Sequence, residues 1–209
     1  SPPSVWRRSH DHHHKHNSKI FGAHIGSYPI MTTQAYANAG TRHKWVYAAS
    51  RHPLLISLGY FTVFLWGMSL RPFLQNPARH FDGLVAGVLS LGSMATLGWF
   101  GLDMMLLGMT IPIMIAAAMG AYLFYAQHNF PTARLKPNSE WSHVDAALNA
   151  SSYIAMSPLM HWFTGNIGYH HVHHLNAQIP FYRLPEAMAS LEELQTPGIT
   201  TLKFGDVLA

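Results

Sequence analysis

The sequence predicts an all-α integral membrane protein, in which transmembrane helices carry a histidine-rich helical cap on the cytoplasmic side. Three observations lead to this fold class: few charges, long uncharged apolar runs, and histidines gathered in clusters. Charged residues make up 11% of the 209 residues, less than half of the ~25% usual in a soluble domain. The apolar content of 49% excludes a disordered chain, and the absence of cysteine excludes disulfides and thiolate-bound iron–sulfur clusters.

Three uncharged runs predict the membrane helices: 52–70, 84–102 and 104–126. An α-helix needs about 20 residues to cross the hydrocarbon layer, and each of these runs is close to that length. The many Gly and Ala residues in the runs favour helices that pack closely against one another. A buried helical bundle of a soluble protein is the alternative interpretation of the same pattern.

The distribution of Lys and Arg predicts the orientation. Of the 13 Lys and Arg residues, only Arg71 and Arg79 lie between the apolar runs. Because Lys and Arg are enriched in cytoplasmic segments, both polar ends are predicted to face the cytoplasm. Two ends on one side require an even number of crossings, so one of the three runs must be re-entrant or lie along the interface. The sequence leaves open which run that is.

Two segments in the polar ends share the spacing H-x-x-H-H: His10, His13 and His14 in the first, and His170, His173 and His174 in the second. Positions i, i+3 and i+4 share one face of a helix, so three imidazoles from one turn can converge on a single point. Imidazole without thiolate suits zinc, copper, iron or nickel, so the ligand type does not select the metal. Two copies of the spacing on one side of the membrane predict a site with more than one metal ion.

His128 is a seventh candidate ligand. It follows the run 104–126, so the predicted helix would carry its imidazole out of the membrane on the cytoplasmic side. A histidine that only caps this helix is the alternative. For the first cluster the alternative is an expression tag or a loose metal-binding tract, but Asp11 and Lys15 interrupt it, which argues against a tag.

Shorter elements are predicted from turn and capping residues. Residues 27–41 are predicted to form a polar connector, and 131–141 a loop with Pro131 and Pro137 at its turns. Residues 185–194 predict a short amphipathic helix that begins at Pro185, because proline suits the first turn of a helix.

These motifs resemble those of the integral-membrane fatty acid desaturases, and especially the acyl-lipid desaturases of the delta-12 and omega-3 type. That family carries three histidine boxes: H-x(3,4)-H, H-x(2,3)-H-H and H/Q-x(2,3)-H-H. The segment from His10 to His14 is similar to the second box. Residues 166–175, followed by Gln178-Ile-Pro-Phe-Tyr, are similar to the third box and its continuation. The resemblance covers nearly the whole chain.

The resemblance implies a non-haem centre of two iron ions at the cytosolic face, with O2 as co-substrate. By position, the iron ligands would be His10, His13, His14, His128, His170, His173 and His174. His171 is also a possible ligand, but the family often has an apolar residue at its position, so it is expected beside the site. His12 and His16 fall between or beyond the ligand positions and are expected beside the site or at the surface. Side chains expected to hold ring N–H groups of the ligands are those of Asp11, Asn17, Asn129, Asp145 and Asn166.

The implied activity is that of an oxidoreductase, a fatty acid desaturase that uses O2 to remove two hydrogens from neighbouring carbons and leave a cis double bond. The implied partners are membrane lipid acyl chains and an electron donor such as a ferredoxin or cytochrome b5. No nucleic acid is expected, because the basic residues are not clustered with aromatic stacking platforms. The implied location is a multi-pass membrane protein with its histidine boxes on the cytoplasmic side.

The first histidine box has no counterpart upstream of His10. We therefore interpret residues 1–209 as a single partial desaturase domain, without the first box and an N-terminal membrane hairpin, and expect this chain alone to be inactive. Two alternatives stay open. One is a membrane diiron hydroxylase or ketolase of the same superfamily, and the other is a histidine-rich membrane metal transporter.

Overall fold

The computed structural model describes residues 2–20 and 27–202, and most of them are helical. The α-helices are α1 (Pro3–His16), α2 (Thr33–Asn38), α3 (Thr41–Ala49), α4 (Pro53–Ser57), α5 (Arg71–Gln75), α6 (Phe81–Phe100), α7 (Leu102–Met105), α8 (Ile111–Ala126), α9 (His143–Asn149), α10 (Pro158–Phe163), α11 (His170–Leu175) and α12 (Leu184–Ser190). Two segments are π-helical, Tyr60–Leu70 and Leu106–Thr110, and two are 3-10 helices, Phe181–Arg183 and Glu192–Leu194. The strands are β1 (Ser152–Ala155) and β2 (Gly198–Thr201).

The chain divides into two compact units. The first consists of Ser1–His12 and Ala39–Leu123, and the second of His13–Asn38 and Phe124–Ala209. Helix α1 begins in the first unit and ends in the second.

The first unit contains the apolar helices, except for the last three residues of α8, which belong to the second unit. Two of these helices, Phe81–Phe100 and Leu102–Ala126, are long and apolar enough to cross a membrane, judged by length and composition. They correspond to the predicted runs 84–102 and 104–126. The predicted run 52–70 is also helical, but most of it, Tyr60–Leu70, has π-helical geometry.

Gly101 separates the two long helices with a single residue. Its φ of 155° lies in a region that favours glycine, and a Cβ there would come within 2.6 Å of Asp103 Oδ1. The chain reverses at this point, as the closeness of residues on either side of Gly101 shows: a Cβ on Gly98 would lie 3.2 Å from Met105 Sδ. The two helices therefore form a tight hairpin.

Small residues bring the helices of the first unit into close contact, as the Gly and Ala content predicts. A Cβ on Gly59 would lie 2.7 Å from the backbone oxygen of Ala117 and 2.8 Å from the Cβ of Ala121. A hydrogen bond of 2.8 Å between Tyr60 Oη and Ser90 Oγ links the segment Tyr60–Leu70 to α6.

The start of α1 is held by a carboxylate of the first unit. Asp82 accepts hydrogen bonds from the backbone N–H of Ser4 at 2.8 Å and from Ser4 Oγ at 2.6 Å. The first N–H groups of a helix have no partner within the helix, so a carboxylate at this place satisfies one of them and favours the helix dipole. His80 Nδ1 lies 3.1 Å from the same hydroxyl.

The second unit has a small core of Val172, Leu184 and Leu194. Beside it, β1 and β2 pair in parallel, with Ser152 opposite Gly198. The fold class is therefore not purely α. The sheet escapes sequence analysis because each strand has only four residues and their partners are distant in the chain.

Of the three shorter predicted elements, the loop agrees with the structure, and the connector and the amphipathic helix differ from it in part. The predicted connector 27–41 contains helix α2, and the predicted loop 131–141 is irregular. The predicted helix 185–194 is interrupted at Leu191, where the backbone becomes extended between α12 and a 3-10 turn.

The contact at Gly59 predicts a specific loss of stability. Gly59→Ala should lower the unfolding temperature in detergent, because the new methyl group overlaps the Ala117 backbone and costs about 1–3 kcal/mol. Gly120→Ala is the matched control, since no atom lies within 4 Å of a Cβ at that helical glycine. Equal unfolding temperatures for the two variants would contradict the close packing at Gly59.

Candidate metal centre

Four buried histidines of the second unit converge on one point. His13, His128, His170 and His174 each direct one ring nitrogen toward the others, and these nitrogens all lie within 4.8 Å of one another. The Nε2 of His128 lies 2.9 Å from that of His13 and 2.9 Å from that of His170. The Nε2 atoms of His170 and His174 are 3.1 Å apart.

Three elements deliver these side chains. His13 lies in the last turns of α1, and His128 follows the C-terminal end of α8. His170 and His174 are one turn apart on α11, so they share a face of that helix. The cluster therefore depends on contacts between segments that are far apart in the sequence.

Hydrogen bonds alone do not satisfy this cluster. A ring nitrogen of a neutral histidine offers either one hydrogen or one lone pair, so it serves one partner. His128 Nε2 and His170 Nε2 each face two other nitrogens at hydrogen-bond distance. A cation accepts the lone pairs of all four nitrogens at once, and the donor set therefore fits a metal ion.

The partner of the second ring nitrogen of His128 supports the same conclusion. His128 Nδ1 lies 3.0 Å from the backbone oxygen of Ala150, which can only accept a hydrogen bond. The hydrogen of this ring is thus on Nδ1, and the lone pair is on Nε2, the atom that faces the cluster. A carbonyl behind a histidine is a common way to orient a metal ligand.

The spacing of the nitrogens is compatible with a shared metal ion. With metal–nitrogen bonds of about 2.1 Å, two neighbouring ligands of one ion lie roughly 3.0–3.4 Å apart. The three contacts of 2.9, 2.9 and 3.1 Å are close to this range. Imidazole ligands alone suit zinc, copper, iron or nickel, so the ligand type does not select the metal.

Burial keeps the cluster neutral. The pKa values of His170 and His174 lie well below 6.5, first because burial disfavours the charged ring and then because other imidazoles are close. Neutral imidazole is the form that binds metals. Both side chains are therefore in the ligand form at physiological pH.

The wall beside His13 is aromatic. The ring of Phe124 lies 5.1 Å from that of His13, and Tyr28 packs against Tyr125 at 5.2 Å between ring centres. Burial, together with the nearby Tyr125, raises the pKa of Tyr28 to about 12, so its hydroxyl stays protonated. Phe124 and the protonated Tyr28 therefore add no charge beside His13.

His14 and His173 lie next to the cluster and form a second pair. Their ring centres are 4.6 Å apart, and the ring of His14 stacks on that of His174 at 4.2 Å. The expectation that each H-x-x-H-H segment converges on one point is therefore wrong. His13 and His14 belong to different groups, and His173 is separated from His170 and His174 in the same way, because neighbouring positions on a helix point in different directions.

The remaining predicted ligand is His10, which belongs to the first unit. It lies one turn before His14 on α1, and its ring stacks on Trp6 at 4.8 Å. Burial lowers its pKa below 6.5, and the opposing effect of Asp11 is smaller. Its role as a metal ligand stays a prediction, as do the roles of the other predicted ligands.

Four of the five side chains that were expected to hold ring N–H groups make other contacts. The amide of Asn17 donates to Ser151 Oγ at 2.9 Å, and that of Asn166 donates to the backbone oxygen of Phe181 at 3.1 Å. The amide of Asn129 donates to the backbone oxygen of Tyr125 at 2.9 Å, and Asp145 forms an ion pair with Lys136 at 2.9 Å. The contacts of these side chains therefore link segments near the site and do not hold the imidazoles.

Two buried polar residues near the site were not singled out as braces by sequence reasoning. Gln127 donates from its amide to the backbone oxygen of Ile167 at 2.7 Å, which ties the end of α8 to the segment before α11. His171 is fully buried, and its Nε2 lies 3.2 Å from the backbone oxygen of Leu194. Its ring therefore contacts the turn at Leu194 and is not part of the cluster.

Comparison with known proteins places this site in a family. The family model described as fatty acid desaturase matches residues 1–202. The chain belongs to the fatty acid desaturase family. Membership confirms the predicted family and implies an oxidoreductase.

Two curated relatives match this desaturase-family chain over most of its length. A fatty acid desaturase of Bacillus subtilis (strain 168) is 33% identical over 207 residues, which are 97% of this chain and 58% of the relative. The sn-1 oleoyl-lipid 12-desaturase of Synechocystis sp. is 26% identical over 198 residues, 92% of this chain and 55% of the relative. The chain thus spans about half the length of these curated relatives.

The convergence of four nitrogens predicts metal binding that depends on His128. Titration of the metal-free chain in detergent with Co2+, followed by absorption, should show a tight site. His128→Ala should weaken binding by more than about tenfold, because it removes the nitrogen in contact with two others. His43→Ala removes an exposed histidine and should bind like the unaltered chain. Equal affinity in both variants would show that the ion binds elsewhere.

The lowered pKa values predict a pH dependence of the metal-free protein. The unfolded chain takes up protons on His170 and His174 as the pH falls below 6.5, whereas the folded chain does not. The free energy of unfolding should therefore decrease as the pH is lowered from 7.5 toward 5. Denaturant unfolding in the presence of a chelator measures this, and His170→Gln should reduce the slope. A stability that is independent of pH over this range would contradict the buried neutral state.

Proposed function

We propose that the chain is part of an O2-dependent fatty acyl desaturase that introduces a cis double bond into a lipid acyl chain through a histidine-bound pair of iron ions. The observation that carries the proposal is the convergence of four buried Nε2 atoms in a member of the fatty acid desaturase family. Imidazole is a suitable ligand for iron.

The two histidine groups divide the proposed iron ligands. His13, His128, His170 and His174 would hold one ion. His14 and His173 would hold the second ion, together with His10, which the histidine spacing in the sequence also predicts as a ligand. When bound, the iron pair supplies the activation of O2 that attack on an unactivated methylene requires.

The protein's own contribution is orientation and exclusion of water. Burial keeps the rings of His170 and His174 neutral, and His13 is equally shielded from solvent. The Ala150 carbonyl sets the hydrogen of His128 on the outward nitrogen. The four converging ligands include no carboxylate, so they do not reduce the positive charge of the ions. Precise placement of the acyl carbon beside the ions would account for the choice of bond.

The membrane placement is part of the proposal. With Phe81–Phe100 and Leu102–Ala126 as the crossings, the number of spans in this chain is even, and both polar ends face the cytoplasm as the Lys and Arg distribution predicts. The segment 52–70 is then the run that does not cross. A cytoplasmic site would receive electrons from a donor such as a ferredoxin or cytochrome b5, and the substrate would be an acyl chain of a membrane lipid.

The alternatives are separated by the product. A hydroxylase or ketolase of the same superfamily would use the same histidines and leave oxygen on the acyl chain. A metal transporter would place its ligands within the spans. His13, His128, His170 and His174 lie outside both candidate membrane helices, which favours the enzyme.

The decisive experiment is a fatty acid profile of a host that expresses the whole reading frame encoding this chain. Gas chromatography with mass spectrometry should detect a new double bond, and its position gives the regiochemistry. His128→Ala should abolish the product, and His43→Ala, which alters an exposed histidine, should leave it unchanged. A hydroxylated acyl product would move the assignment to the sister activity, and a purified protein without bound iron would contradict the proposal.

A further inference from the structure

An exposed aromatic surface lies in the second unit, outside the candidate membrane helices. It consists of five large side chains with high exposure: Leu159 63%, Trp162 74%, Phe163 66%, Phe181 61% and Tyr182 66%. We call these residues the aromatic patch. Large apolar side chains that are exposed together mark a contact surface more often than isolated ones do.

A hydrogen bond links the segments that carry the two halves of the patch. Trp162 and Phe163 end helix α10 with ring centres 5.0 Å apart, and Phe181 and Tyr182 form the second half at 5.5 Å. Between them, the amide of Asn166 donates to the backbone oxygen of Phe181 at 3.1 Å. The patch is therefore a held surface and not a set of separate loop residues.

The patch stands in a stretch without charge. No Asp, Glu, Lys or Arg occurs between Asp145 and Arg183, a stretch that includes the whole patch. Arg183, at its border, is paired with Glu186 at 2.9 Å. Docking sites for soluble redox proteins depend on complementary charge, which these residues do not offer.

The composition fits the boundary region of a lipid bilayer. Trp and Tyr prefer this region because their rings are apolar and their N–H and O–H groups remain hydrated, while Phe and Leu reach deeper into the acyl chains. The same chain contains two helices that are long and apolar enough to cross a membrane. Because these two helices would place the chain in a membrane, a lipid bilayer is the partner that the exposed aromatic patch fits best.

The position of the patch in the chain adds a consequence for the metal centre. Residues 159–163 precede α11 and residues 181–182 follow it, and α11 carries His170 and His174. Anchoring both flanks of α11 at the lipid surface would hold these ligands at the level from which acyl chains arrive.

We propose that the aromatic patch inserts into the interfacial region of the bilayer and anchors the second unit to the lipid surface. The proposal rests on the membrane placement of the proposed function. It does not depend on the metal or on the reaction.

The absence of cysteine allows a direct test with single labels. Trp162→Cys and Tyr182→Cys place a polarity-sensitive fluorophore in the patch. Leu89→Cys labels the exposed side of α6, and Glu140→Cys labels an exposed loop of the second unit. Each labelled chain is reconstituted into phosphatidylcholine vesicles that contain lipids with a nitroxide near the top of the acyl chain, and the circular dichroism spectrum verifies that it is folded like the unlabelled chain.

The labels at 162 and 182 should emit at shorter wavelength than the label at 140 and should lose fluorescence to the nitroxide lipids, as the label at 89 does. If the labels at 162 and 182 are as little quenched by the nitroxide lipids as the label at 140, while the label at 89 is quenched, the proposed insertion of the patch is overturned and the proposed function stays intact. If the labels at 162 and 182 are shielded from aqueous iodide but are not quenched by the nitroxide lipids, protein covers the patch. This result would also overturn its insertion into lipid. A label at 89 that is not quenched would overturn the membrane placement itself.

Discussion

The structure of the second unit depends on the burial of several neutral imidazoles at one point. Bringing polar rings out of water is unfavourable unless each nitrogen finds a partner, and His128 Nε2 faces two nitrogens where it can serve one. A metal ion changes this balance, because it binds all the lone pairs together. The surrounding hydrogen bonds then have a common purpose, which is to keep the rings aimed at the place of the ion.

Polar contacts fix the chain where two of the ligand-bearing helices, α1 and α8, end. Asn17 closes the end of α1 through Ser151, and Gln127 ties the end of α8 to Ile167 before α11. Such amides hold the segments in position without contributing charge. This arrangement allows the ligands to come from three distant parts of the sequence while their nitrogens remain about 3 Å apart.

The sequence contains the information that is local. Uncharged length predicts the two long helices, and the helical spacing of histidines predicts that His170 and His174 share a face. No local sequence pattern shows which distant segments of the chain contact one another. Three features therefore emerge only from the structure: the separation of His13 from His14, the parallel pairing of Ser152 with Gly198, and the partners of Asn166 and Asp145.

The all-imidazole character of the converging group has a consequence for how the protein acquires its metal. Nitrogen ligands bind divalent copper and nickel more strongly than ferrous iron, following the general order of affinities of these ions. A site built from His13, His128, His170 and His174 does not reverse that order by its choice of ligand atoms. Correct loading with iron would then be decided by which ions the cell makes available during folding, and protein that meets copper or nickel during purification is at risk of carrying the wrong metal.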